Sequence, residues 1–77
     1  MVEELEEKVK KLSPEDRATF EILESLPREK VLVMNREIIA RAEDRHWCEE
    51  RRIDYVNADI LQIAIYTYRE LAADGKI

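Results

Sequence analysis

Glu43-Asp44-Arg45-His46 sets a carboxylate and an imidazole three residues apart. On a helix this spacing turns both groups to one face, as in the Glu-x-x-His pairs of di-iron carboxylate bundles. Such a centre takes the motif twice, with a further glutamate from each of two other helices. This chain has one histidine, so a symmetric dimer would have to supply the second copy. Cys48 lies two residues on and adds a soft ligand, with Glu49 and Glu50 beside it. A structural zinc site usually takes four ligands, and one Cys with one His falls short of that set. As a nucleophile and base, Cys48 and His46 fare no better, since helical residues two apart diverge and no oxyanion hole accompanies them. The single glycine, Gly75, rules out a phosphate-cradling loop. The remaining carboxylates sit on solvated helix faces and offer no tuned acid–base pair. The expectation is a chain without catalytic residues or cofactor, in which a metal site at Glu43, His46 and Cys48 is the least favoured reading.

The 77 residues carry 13 basic and 18 acidic side chains, a net charge of −5. Residues 1–26 hold 4 basic and 8 acidic groups, residues 27–52 hold 7 and 6, and residues 53–77 hold 2 and 4. Nucleic-acid binding needs a basic face that displaces counterions from phosphate. Here Arg36, Arg41, Arg45, Arg51 and Arg52 are interleaved with Glu37, Glu43, Asp44, Glu49 and Glu50. Intrahelical pairs such as Glu37 with Arg41 use up that charge, so no nucleic-acid role is expected. The apolar runs are far short of the roughly 20 residues that cross a bilayer. An acidic N-terminus is unlike a secretory leader, and a lone cysteine excludes a disulfide framework. The expected setting is soluble, reducing and cytoplasmic, with no membrane partner.

One Gly and two Pro leave little material for hairpins or long loops, and the periodicity is helical. Val2, Leu5, Val9 and Leu12 recur at alternating spacings of three and four among Glu and Lys, which predicts a narrow amphipathic first helix. Ser13-Pro14-Glu15-Asp16 reads as cap, first turn and dipole-matched acids of a second helix running to about Ser25, with Phe20, Leu23 and Leu26 inward. Pro27 opens a third helix whose apolar face collects Val31, Met34, Ile38, Ile39, Ala42 and His46. Cys48 to Ile53 reads as a charged connection. Asn57 caps a last helix over residues 58–73, stopped by Gly75. Its stripe is Ile60, Leu61, Ala64, Tyr68 and Leu71, flanked by Ile63 and Ile65, with Tyr66 on the far side. A helix apolar most of the way round is central to its bundle or covered by something else. The alternation Leu61, Ile63, Ile65, Thr67 also permits a strand, paired with residues 30–34. The fold class expected is all-α: a small bundle of four short helices in a single domain, residues 1–12 a peripheral brace and residues 13–75 the helical core.

Leu23, Leu26-Pro27, Ala42, Asn57-Ala58-Asp59-Ile60 and Ala64 together follow a recognisable pattern. Over residues 14–72 the chain resembles the small helical domain at the C-terminus of the B subunit of dark-operative protochlorophyllide reductase. Arg28, Glu29 and Lys30 stand where that family has aromatic and arginine residues, and the connection from Ala42 to Asn57 is longer. The resemblance implies a compact accessory domain that packs on a larger subunit, not a catalytic centre. The regularity of the first helix is that of designed sequences, so an engineered protein on such a scaffold is a further expectation.

At 100° per residue, Val33 and Trp47 of the third helix and Ile65 and Tyr66 of the last point away from the expected core. Trp and Tyr are frequent interface anchors. The function expected is therefore non-catalytic protein–protein interaction through the third and fourth helices, carried by Val33, Trp47, Ile65 and Tyr66. The alternative is a structural homodimer that buries the same surface against its own copy.

Overall fold

The computed structural model describes residues 2–77 and is all-α, built from five helices. They are α1 (Val2–Lys10), α2 (Pro14–Glu24), α3 (Arg28–Ala42), α4 (Arg45–Glu50) and α5 (Ile60–Ala73). The side chain of Val2, expected in the first stripe, lies outside the described residues. Ser13 caps α2 as its sequence implies, its hydroxyl accepting from the Asp16 N–H at 3.1 Å, with Pro14 in the first turn.

The extra helix, α4, corrects the expectation of four. Helix α3 ends at Ala42, and Asp44 then starts a new helix, its carboxylate accepting from the Trp47 N–H at 3.0 Å. Glu43-Asp44-Arg45 contains no Gly or Pro, so a run of helix formers hides a stop and a restart. Helix α4 closes with Arg52 in the left-handed region at φ 59°, where the Ile53 N–H reaches the Cys48 carbonyl at 2.9 Å and the Arg52 N–H reaches that of Glu49 at 3.1 Å. This is a Schellman stop in which arginine occupies the place glycine usually takes, at a cost of about 1 kcal/mol. What offsets it is burial of Ile53 beside Cys48. Helix α5 ends in the same motif with Gly75 at φ 71° and the Lys76 N–H on the Leu71 carbonyl.

Asn57 does not cap α5. Its N–H and side-chain amide both donate to the Asp54 carboxylate, and Asp59 is the cap, accepting from the Leu61 N–H at 3.0 Å. Residues 61–67, for which a strand is the alternative in sequence, lie wholly within α5. Leu61, Ile63, Ile65, Thr67 and Leu71 of α5 are all buried, more than one helix face can supply. The helix is central: α3 and α2 pack on it, and α4 with residues 51–59 folds back over its remaining side. Ile60, expected in the buried stripe, is exposed, because it lies at an open groove that α1 does not fill. Helix α1 lies against α2, with Leu5 exposed and Val9 and Leu12 half-buried. Arg17 caps it by donating to the Lys10 carbonyl at 3.0 Å. No helix among the described residues is long and apolar enough to cross a membrane.

Candidate interaction surfaces

Of the four residues expected to face a partner, the structure buries two. Trp47 is 8% and Ile65 3% exposed. The wheel that turns Trp47 outward assumes a helix continuous with α3, and the break at Asp44 re-aims it onto α5. Ile65 is covered on the side of α5 that a single-stripe reading leaves to solvent. Tyr66 is half-buried, its ring edge-on to Trp47 at a centroid distance of 6.5 Å. Val33 is exposed on α3.

Trp47 is the hub of a closed polar network. Its indole N–H donates to Glu70 Oε1 at 3.2 Å, and Arg51 grips the same carboxylate through Nε at 2.6 Å and Nη2 at 2.9 Å. Arg51 also donates to the Trp47 carbonyl at 2.8 Å, and its guanidinium lies 4.2 Å from the indole centroid. The Arg41 guanidinium approaches the same ring at 5.4 Å and donates to the Thr67 carbonyl at 3.4 Å. Burial alone would raise the Glu70 carboxyl, but hydrogen bonds from Arg51 and Trp47 and the nearby guanidinium charges outweigh it and hold the pKa below the usual carboxylate range. The hydrogen bond to Glu70 in turn raises Arg51. A bidentate Arg–carboxylate pair of this kind fixes geometry. It locks α4 to α5 and leaves Glu70 committed rather than available for chemistry.

The metal and thiol candidates do not converge. Glu43 is the C-cap of α3, while His46 is exposed on α4 and pairs with Glu50 at 3.5 Å. The expected place of His46, on the apolar face of the third helix, is thus corrected for the same reason as that of Trp47. Cys48 is fully buried, and its thiol donates to the Arg41 carbonyl at 3.5 Å. Burial, reinforced by the charge of Asp44, pushes this thiol up in pKa and away from thiolate chemistry. Among the described residues no three His, Cys, Asp or Glu side chains are grouped to hold a metal ion.

No protein-family model, curated protein or solved structure matches the chain. Its surface chemistry is therefore the guide to function.

That surface is most apolar along α3. Leu32 is 59%, Val33 40% and Ile39 60% exposed, with Ala40 beside them. Met34 is buried and Val31, Ile38 and Ala42 are half-buried on the other side of the same helix. Ile39 is therefore outside the core in which the sequence pattern places it, and Leu32 is a surface residue that pattern does not single out. The signal is present: Ile38 and Ile39 are adjacent, so only one can face inward, and Leu32 and Ile39 stand seven residues apart on the outward side. A second apolar feature is a groove of about 450 Å³ between α1, α2, α3 and α5, walled by Leu5, Phe20, Leu23, Met34, Ile38 and Ile60. Lys8 of α1 and Asp59, at the start of α5, line it 3.7 Å apart. Light packing of α1 leaves this groove open.

Proposed function

We propose that the chain is a non-catalytic protein-interaction module whose contact surface is the outer face of α3, carried by Leu32, Val33 and Ile39. The supporting observation is that these three large apolar side chains share the solvent side of a helix whose opposite side already furnishes core. Packing within the chain gives them no role, and clustered exposed apolar groups mark contact sites. Val33 is retained from the sequence reading, Leu32 and Ile39 join it, and Trp47 and Ile65 serve the core. Tyr66, edge-on to Trp47, belongs with them. The net charge of −5 favours a protein partner over a nucleic acid. Resemblance to the reductase accessory domain agrees with docking on another chain rather than with catalysis.

The test pairs Leu32→Lys with Ile39→Lys. Both positions are exposed, so the double variant keeps its helical circular dichroism and, at concentrations where the chain is monomeric, its melting temperature, while association, with whatever chain, is lost. Melting lowered as far as by a core truncation would make the face part of the fold and end the proposal.

A further inference from the structure

The charges that flank the exposed stripe point to its occupant. At 100° per residue, Arg28, Leu32, Ile39 and Glu43 fall within about 60° of one another on α3. Arg28 and Glu43 are exposed, and neither is in an ion pair among the described residues. Each also stands at the wrong end of its helix. The N-terminus of a helix carries partial positive charge and favours acids, and the C-terminus favours bases. Arg28 is the first residue of α3 and Glu43 its C-cap. Glu29 in the first turn and Arg41 in the last match the dipole elsewhere on the helix, but on this stripe the polarity is reversed at both ends.

A second α3 running the other way would give Arg28 and Glu43 an opposite charge at both ends together. Resting on the reading of this face as a contact surface, we propose that its occupant is a second copy of the chain, with the two α3 helices antiparallel about a two-fold axis between Asn35 and Arg36. That axis sets Arg28 of one copy opposite Glu43 of the other, and Leu32 opposite Ile39, each pairing occurring twice. A parallel arrangement would bring Arg28 onto Arg28 and Glu43 onto Glu43. The interface is self-complementary, as two-fold symmetry demands. Four large apolar side chains, Leu32 and Ile39 from each copy, form a small contact, so dimer and monomer exchange with concentration.

The experiment is light scattering over roughly a hundredfold concentration range on the whole chain, the Arg28→Glu and Glu43→Arg variants, and the two changes combined. The unaltered chain rises from its 9.2 kDa monomer mass towards twice that value. Either single reversal sets like charges opposite each other at both ends and weakens the dimer by about tenfold or more; the combined reversal restores it. Each reversal also suits its helix end, so melting at the lowest concentration does not fall. A monomer mass throughout overturns the second-copy proposal. A dimer indifferent to the reversals does so as well, because its contact then lies elsewhere. The contact-surface reading fails separately: a monomer that loses a different protein partner on Leu32→Lys keeps the face as a contact surface and removes only the second copy.

Discussion

Trp47 on α4 and Leu32 on α3 are both large apolar side chains on exposed-looking helices of one small domain, and they have opposite fates. Around Trp47, Arg41, Arg51, Glu70 and Tyr66 close over the ring and satisfy its N–H. Around Leu32, the neighbours on the outward side of the helix, Val33, Ile39 and Ala40, are all exposed. The difference lies in the path of the chain beyond each residue. After Trp47 the Schellman stop at Arg52 turns the chain back so that Ile53 and Tyr55 seal the site. Helix α3 has core on one side only, and no later segment returns to cover the other. An aromatic residue read as an anchor is thus structural, while plain aliphatic residues are left for a partner.

The contrast can be broken most violently at Trp47. Trp47→Ala opens a cavity against Cys48, Ile53 and Ile63 and leaves the Arg51–Glu70 pair without its platform, a loss of about 3–5 kcal/mol. Chemical denaturation followed by circular dichroism would show much of the stability of so small a domain gone. Glu70→Gln is next, at about 1–3 kcal/mol, because Arg51 loses its counter-charge but remains partly solvated. The same carboxylate predicts a pH dependence. Its folded pKa lies below the unfolded value near 4.3, so its stabilisation is full above that value and is lost as pH falls through the folded pKa. Acid titration of the melting temperature should slope downward in that window, with a shallower slope in Glu70→Gln. A sharper probe of closure is Cys48: fully buried, its thiol should resist alkylation in the native state and react only at the rate of opening. The smallest effect is expected on α3, where Leu32→Lys with Ile39→Lys should leave monomer stability within about 0.5 kcal/mol per site.

Much of the fold is legible in the sequence where local chemistry decides it. Ser13-Pro14 and Gly75 mark helix ends through capping and a positive φ, properties of single residues and their neighbours. The all-α class follows from periodicity and the scarcity of breakers. Asp44 escapes because it caps a helix from within a run of helix formers. Asn57 and Asp59 are both good caps two residues apart, and the choice between them is made by the Asp54 turn, which binds Asn57 first. Burial round the whole of α5 is a tertiary fact: no wheel shows that α4 returns to cover Ile63. The candidate surface is half legible, since Val33 stands opposite the expected core, whereas the periodicity counts Ile39 inside it.

The most direct test is a dilution series followed by two-dimensional amide NMR on the unaltered chain. The account predicts concentration-dependent shifts confined to α3 and strongest about Leu32, Asn35, Arg36 and Ile39, with Trp47 and Glu70 unmoved. Shifts centred on Trp47, Tyr66 and Glu70 would contradict it, placing the contact on the closed side of the molecule.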